Sequence, residues 1–361
     1  MYLERLRGTG FRNLEPFDLA LSPRIVLVRG KNGQGKTNLL EALYLCATGR
    51  SFRFAMPKDM LAHGGTRAHL EAAFVRRSVR HAVEISLGPR QRQLRVDERP
   101  LRRLATLVQL VNVVSFFPDD LRIVKGSPEE RRRFLDRLVA NQQPAFIDTS
   151  LAYLKALRSR NALLRQAIAP EAALLDSFDE ALVRYGTLIH TARVEVLAAL
   201  APLAAALFAD MMPGLMLSAS LDSGIPAHDT GPFAERFAAA LGRARRADRA
   251  RGVTSVGPHR ADLDLALAGH EARSFASQGQ QRTLVLALKL AELHRVRELY
   301  DGSPILLLDD VSSELDGERS RLLFDAIRGM EGQVWVSTTG AVALPVGDDA
   351  QVLEIDAGRI A

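Results

Sequence analysis

Residues 30 to 37 read Gly30-Lys31-Asn32-Gly33-Gln34-Gly35-Lys36-Thr37: a glycine, four residues, then Gly-Lys-Thr. This spacing cradles phosphate. Backbone N–H groups of the loop wrap the phosphate oxygens, and the glycines admit angles and close approaches that a Cβ would block. Lys36 puts a cation on the β- and γ-phosphates of a nucleotide, and the Thr37 hydroxyl is a hard oxygen ligand suited to Mg2+. Asn38 opens the following helix, whose positive end faces the anion. Much later, Asp309 and Asp310 close an apolar run. Beside a phosphate loop, Asp309 is placed to hold Mg2+ and Asp310 to orient or deprotonate an attacking water. Upstream of them, Ser277-Gln278-Gly279-Gln280 sets a serine and a glycine at a helix start, a second anion-binding end.

Each of these groups needs an element to aim it. Residues 24 to 28 are predicted as the strand that delivers Gly30, and residues 38 to 45 as the helix that leaves Thr37. The run 304 to 310 has the all-apolar character of a central parallel strand covered on both faces. A helix is predicted over 283 to 300 and a further apolar strand over 333 to 338, with Ser337, Thr338 and Thr339 at its end. The Ser277 helix precedes the acid-bearing strand at the spacing seen in ATP-binding cassettes. In those proteins this helix end meets the γ-phosphate held by the other subunit. Many cassettes place a γ-phosphate-sensing histidine where Ser337 to Thr339 stand, so either weaker γ-phosphate sensing or sensing by a hydroxyl is expected here. Residues 312 to 316 resemble the loop that crosses the dimer interface.

The remaining segments supply a frame. Strand-like alternation marks residues 3 to 27, 68 to 75, 81 to 87 and 91 to 96, an antiparallel patch with arginines on its outer positions. Residues 111 to 117 are apolar and β-rich. Ser127 and Pro128, followed by Glu129 and Glu130, are a helix start. From residue 129 to about 210 the pattern is helical, with breaks near Pro144 and Pro170, giving two to four helices too interrupted for a long coiled coil. A basic helix is predicted over 233 to 251, between a strand at 215 to 221 and β-like segments at 252 to 256 and 263 to 267. The fold class is therefore α/β, a P-loop ATPase head of mixed sheet with helices on both faces and an inserted, mostly helical arm. Residues 1–125 and 252–361 are expected to form the head, and 126–251 the arm.

The chain has 361 residues, 47% hydrophobic and 25% charged, with a net charge of +6 and a predicted pI of 9.7. Only six of its 48 basic residues are lysine, the rest being arginine, which suits bidentate phosphate contact. The single cysteine, Cys46, has no partner for an internal disulfide, which fits a reducing compartment, and it reads as a buried apolar group rather than a nucleophile. No basic-then-apolar signal segment opens the sequence. The longest apolar run, 194 to 208, carries Glu195 and Pro202, so no bilayer span is expected and the chain reads as cytoplasmic.

These motifs together resemble the RecF family, bacterial DNA-repair ATPases of the SMC-like cassette group, from one end of the chain to the other. The resemblance rests on Gly10-Phe11-Arg12-Asn13-Leu14, the phosphate loop with Asn38-Leu39-Leu40-Glu41-Ala42, Thr48-Gly49-Arg50-Ser51-Phe52-Arg53 and Pro118-Asp119-Asp120-Leu121. It continues in Lys125-Gly126-Ser127-Pro128, Arg131-Arg132-Arg133-Phe134-Leu135-Asp136, Gly257-Pro258-His259-Arg260, Ser277-Gln278-Gly279-Gln280-Gln281-Arg282 and the stretch from Leu307 to Asp316. It implies an ATP-dependent homodimer with two nucleotides sandwiched head to tail. It also implies binding of gapped DNA or single-strand/double-strand junctions, with RecR and RecO as partners in loading RecA. By residue, it puts Arg12 and Asn13 near the base or ribose, Gly33, Gly35, Lys36 and Thr37 on phosphates and Mg2+, and Ser277, Gly279 and Gln280 on the partner's ATP. Asp309 would support the metal and Asp310 the water. Asp310 stands where most cassettes have glutamate, and its shorter reach implies slow hydrolysis. No glutamine lies in 111 to 118 to serve as the metal-reaching glutamine of other cassettes.

Two other classes share the loop. A transporter ATPase has a much shorter insert between loop lysine and acid-bearing strand, and a small-molecule kinase has no use for Ser277 to Gln280. Candidate DNA contacts are Arg76, Arg77, Arg90, Arg92 and Arg95, the set Arg131 to Arg133, and the arginines from 243 to 251. Arg131 to Arg133 have a structural alternative, pairing with Glu129 and Asp136. His259 is either hydrogen-bonded in the fold or a contact near the base of the arm. No His/Cys/Asp spacing suggests zinc.

Overall fold

The computed structural model describes residues 1–21, 24–166, 172–226, 230–300, 304–310, 317–328, 330–340 and 350–361. Two compact units divide it: Met1–Asp120 with Leu286–Ala361, and Leu121–Val285.

The first unit is built on two six-stranded sheets. One is antiparallel in the order β2-β1-β4-β5-β6-β7, from β1 (Tyr2–Thr9), β2 (Phe17–Ala20), β4 (Ala68–Arg76), β5 (Val79–Gly88), β6 (Gln91–Val96) and β7 (Arg99–Pro100). The other runs β15-β14-β3-β13-β12-β8, from β3 (Ile25–Arg29), β8 (Val113–Phe116), β12 (Ile305–Leu308), β13 (Val334–Thr338), β14 (Gln351–Asp356) and β15 (Arg359–Ile360). Its pairings are parallel except for the terminal hairpin β14–β15. Strand β12, Ile-Leu-Leu-Leu, is buried at every position, as an apolar run covered on both faces requires.

Helix α1 (Lys36–Thr48) touches strands of both sheets. Its sequence explains this: Leu39, Leu40, Ala42, Leu43, Leu45, Cys46 and Ala47 leave no polar face, and all are buried. A helix apolar all round must be enclosed, and each fully buried leucine contributes about 2 kcal/mol. Burial also pushes the Cys46 thiol up, out of nucleophilic range. Helix α2 (Leu104–Leu110), which the sequence did not signal, packs on α1 through Ala105, Leu107 and Val108.

The second unit holds the short α3 (Arg122–Lys125), then α4 (Pro128–Gln142), α5 (Phe146–Leu164), α6 (Ala172–Met211) and α7 (Phe233–Arg251). A three-stranded sheet β11-β10-β9 completes it, from β9 (Leu217–Asp222), β10 (Asp262–Leu267) and β11 (His270–Glu271). Helix α4 starts as predicted: the Ser127 N–H donates to Glu130 Oε2 at 2.7 Å, with Pro128 in the first turn. Helix α6 buries Leu182, Ile189, Val196, Leu200 and Phe208 and touches α4, α5, α7 and β9. The expectation that no stretch was long enough for a bilayer does not hold on composition. Because α6 continues on both sides of the 194–208 run, its best 18 residues reach a mean hydropathy of 1.8.

Two further expectations change. Residues 252 to 256 form no strand. The Thr254 N–H donates to Asn161 Oδ1 at 2.8 Å and the Ser255 N–H to Asp248 Oδ1 at 3.0 Å, so side chains take the backbone groups a ladder would need. Residues 252–285 also group with the helices rather than with the first unit. A reason is local: Arg131 on α4, nearly buried, forms a bidentate pair with Asp262 at 2.6 and 2.7 Å and so ties β10 to α4. Short α8 (Ala272–Phe275) leads to α9 (Gln278–Leu299), and α10 (Gly317–Arg328) lies between β12 and β13 in sequence.

Candidate nucleotide site

Strand β3 ends at the phosphate loop, and neighbouring backbone pins the loop. The Gly30 N–H donates to Thr338 O at 3.2 Å, and a Cβ at Gly30 would lie 2.3 Å from the Ile355 carbonyl oxygen. Gly33 sits at φ +80° with no atom within 4 Å of a would-be Cβ, a left-handed position facing open space. Gln34 is gripped by the turn between β14 and β15. Its carbonyl accepts from the Gly358 N–H at 3.0 Å and its side-chain oxygen from the Ala357 N–H at 2.5 Å. Lys31, Asn32 and Gly33 form the exposed rim. The Lys36 ammonium, nearly buried, donates to the Gly30 and Lys31 carbonyls at 2.8 and 3.1 Å, aimed inside the loop where phosphate oxygens would compete for it.

Sheet order brings the acid to the loop. Strand β13 lies between β3 and β12, so Ser337 near its end sits between the phosphate loop leaving β3 and the two acids leaving β12. The Ser337 hydroxyl donates to Asp309 Oδ1 at 2.6 Å, and the Thr37 hydroxyl donates to the same oxygen at 3.1 Å. The Asp310 N–H donates to Ser337 Oγ at 2.9 Å, and Asp310 holds a left-handed φ of 48°, uncommon for a non-glycine residue. Burial raises the Asp309 pKa; the hydrogen bonds from Ser337 and Thr37 and the charge of Arg53 oppose that rise, and Asp310 adds to it. A hydroxyl and a carboxylate 3.1 Å apart are the hard oxygen set that Mg2+ uses when it keeps waters and takes phosphate oxygens besides. The residues therefore fit that metal.

Around this core lies an arrangement that sequence reasoning missed. Glu41 on α1 is fully buried. Its Oε1 accepts from Arg12 Nη2 at 2.8 Å and Ser51 Oγ at 2.5 Å, and its Oε2 from Arg12 Nε and Arg53 Nη1, both at 3.0 Å. Arg12, expected near the base or ribose, is thus engaged by Glu41. Asn13 lies against the loop, its Nδ2 near the Gly33 and Gln34 carbonyls at 3.4 and 3.3 Å, and it accepts from Asn38 at 2.7 Å. A lone acid inside a helix otherwise apolar all round was the available signal, because a buried charge demands partners.

Ser277, Gly279 and Gln280 lie in the second unit. The Gln280 side chain accepts from the Ser277 N–H at 2.7 Å and the Gln280 N–H donates back to Ser277 Oγ at 3.2 Å, a reciprocal cap on an exposed helix start. The 312 to 316 loop falls outside the described residues.

His259 takes the structural reading. Its Nε2 faces the Thr254 carbonyl at 3.0 Å, which only accepts, so Nε2 carries the proton and Nδ1 accepts from the Tyr153 hydroxyl at 2.7 Å. Burial pushes its pKa down to about 4. Several candidate DNA arginines are engaged within the fold: Arg76 with the Leu110 carbonyl, Arg92 with the Gly49 carbonyl, and Arg95 with the Glu98 carbonyl. Arg133 pairs with Glu129 as anticipated, and Asp136 pairs with Arg193. A cleft of about 710 Å3 on the antiparallel sheet, running from Thr9 to Gln93, includes no phosphate-loop residue.

A phosphate loop after a central parallel strand, with a metal-competent acid on a nearby strand of the same sheet, defines a P-loop ATPase head of the ATP-binding-cassette type. A family model described as "RecF/RecN/SMC N terminal domain" matches residues 2–353. The DNA replication and repair protein RecF of Myxococcus xanthus is 40% identical over all of this chain and 97% of its own length, and that of Geobacter sp. strain M21 is 37% identical over the whole of both. A solved structure of the recombination mediator protein RecF with ATP, in the RecFOR pathway, superposes with a TM-score of 0.91 at 28% identity, covering 100% of this chain and 97% of that one. The chain belongs to this family, on its RecF branch. An Smc head bound to the winged-helix domain of ScpA shares the fold at a TM-score of 0.54 and 16% identity, covering 100% of this chain and 96% of that one.

Proposed function

We propose that this chain is an ATP-dependent DNA-binding protein of recombinational gap repair, in which nucleotide binding drives homodimerisation on gapped DNA or single-strand/double-strand junctions. The observation that carries the reading is the convergence of Thr37, Asp309 and Ser337 beside the phosphate loop. The relatives named for DNA replication and repair, and the ATP in the RecF neighbour, support it.

ATP phosphates would take the N–H groups around Gly33 and Gly35 and draw the Lys36 ammonium off the two loop carbonyls. Thr37 and Asp309 would hold Mg2+, which supplies charge neutralisation at the β- and γ-phosphates. Asp310 would orient the water, with slow turnover. Ser277, Gly279 and Gln280 of a second copy would close on the γ-phosphate, and Arg12 and Asn13 would border the nucleoside. An ATPase head with an inserted helical arm, a cytoplasmic location, and partnership with RecR, RecO and RecA belong to the same reading. Binding to gapped duplex with and without ATP tests it. ATP-enhanced binding is expected; absent or ATP-indifferent binding overturns it.

A further inference from the structure

Ion pairing sorts the arginines of the second unit into two groups. Arg160, fully buried on α5, holds Asp179 at 2.5 Å and Asp248 at 2.9 Å. Arg245 on α7 takes Asp176 and the other oxygen of Asp179, at 2.5 and 2.7 Å. Asp248 also accepts from the Ser255 N–H and hydroxyl. The three acids that bind α5, α6 and α7 together are therefore committed.

What remains is a surplus of cations on the outside of the same two helices. On α5, Lys155 and Arg158 are exposed three residues apart, and the exposed Arg165 follows at the C-cap seven residues on, which keeps the three on one side. On α7, Arg246 and Arg251 are exposed and Arg249 is half-exposed. The two sets meet where the helices end: Arg165 Nε donates to the Gly252 carbonyl at 3.1 Å, and a Cβ at Gly252 would lie 2.8 Å from Arg165 Cγ. The helix dipole accounts for cations in the last turn of α7, where Arg249 and Arg251 stand. It does not account for Arg246, nor for Lys155 and Arg158 within α5. Like charges at these spacings cost stability rather than add it, so the arrangement implies a polyanion.

We infer that this basic face, Lys155 and Arg158 on α5 and Arg165 at its C-cap with Arg246, Arg249 and Arg251 on α7, docks the phosphate backbone of duplex DNA. The inference rests on the DNA-binding reading above and names the surface for it. At 1.5 Å per residue the α5 row spans about 15 Å, the length of about four base-pair steps along one strand. The row carries arginine and lysine with no aromatic platform among these residues, which suits backbone contact with duplex more than stacking of single strands.

The test is the salt dependence of binding to a short labelled duplex, for wild type, for Arg246→Gln/Arg249→Gln/Arg251→Gln, and for Arg5→Gln as a control, since Arg5 is already paired with Asp18. Three lost phosphate contacts flatten the slope of log K against log salt by about 2.7. The inference expects that flattening in the triple variant, with an unchanged thermal melt, and none in the control. If wild type binds gapped duplex with ATP but no plain duplex, this surface is overturned while the reading stands; if it binds neither, the functional reading itself fails. If wild type binds and the triple variant keeps its slope, or the control flattens equally, this surface is overturned while the reading stands. Because Arg246 is exposed, the single charge reversal Arg246→Glu repeats the test without multiple changes.

Discussion

Replacing Glu41 with glutamine keeps the shape of the side chain and removes its charge. In the structure both carboxylate oxygens accept two hydrogen bonds, three from the guanidinium groups of Arg12 and Arg53 and one from Ser51. The amide NH2 of glutamine must face two donors instead. Breaking a buried charge pair costs about 3–5 kcal/mol. Here Arg12 and Arg53 are 18% and 33% exposed, so water recovers part of that, and about 3 kcal/mol is the expected loss. For a unit of this size that lowers the unfolding temperature by about 6–12 °C. The assay is thermal unfolding without nucleotide, in a double-mutant cycle with Arg53→Met. The cycle should show a coupling of about 1 kcal/mol or more, because Arg53 and Glu41 share one bond and one buried charge. A fall of less than about 2 °C for Glu41→Gln, or additive single effects, would refute the view that this carboxylate organises the region beside the phosphate loop.

His259 should make stability depend on pH. Its folded pKa is pushed down to about 4, mainly by burial and then by Arg260 and Arg132 against the opposing Thr254 carbonyl and Asp248, while the unfolded chain titrates near 6.5. The unfolded state thus binds the proton first, so stability falls as pH drops from about 6.5 to about 4, by up to about 3 kcal/mol. Denaturant unfolding of wild type and His259→Gln across that window should give curves that converge at low pH; parallel curves would contradict the assignment. Ser337→Ala removes the hydroxyl that donates to Asp309 and accepts from the Asp310 N–H. It should slow ATP hydrolysis by about tenfold, from a loss of about 1–2 kcal/mol at the acid pair, with a smaller change in ATP affinity; equal losses in both would argue against a role in aligning the acids.

Local chemistry made the loop, the buried strand β12 and the basic helix α7 legible in the sequence, the last with its observed ends Phe233–Arg251. Glycine spacing, an unbroken apolar run and arginine-rich periodicity are properties of short segments. What was not legible depends on groups far apart in the chain. The grip of Ala357 and Gly358 on Gln34 exists only because β14 pairs with β3. Ser337 appeared as a hydroxyl in place of a histidine; its bond to Asp309 follows from β13 lying between β3 and β12. The strand expected at 252 to 256 failed because Asn161 and Asp248 supply hydrogen bonds from distant helices. Arg12 illustrates the same limit at the site: its type fits a nucleotide contact, yet its observed partner is a carboxylate on α1.

Sedimentation of wild type and Lys36→Met, each with and without ATP and Mg2+, bears most directly on the claim that nucleotide assembles two copies. The Lys36 ammonium is the one charge of the loop aimed inward, on the Gly30 and Lys31 carbonyls. Wild type is expected to shift from monomer to dimer with ATP, and Lys36→Met is expected to show no shift. A wild-type protein that stays monomeric at saturating ATP, or a Lys36→Met protein that dimerises with ATP as wild type does, would contradict that claim.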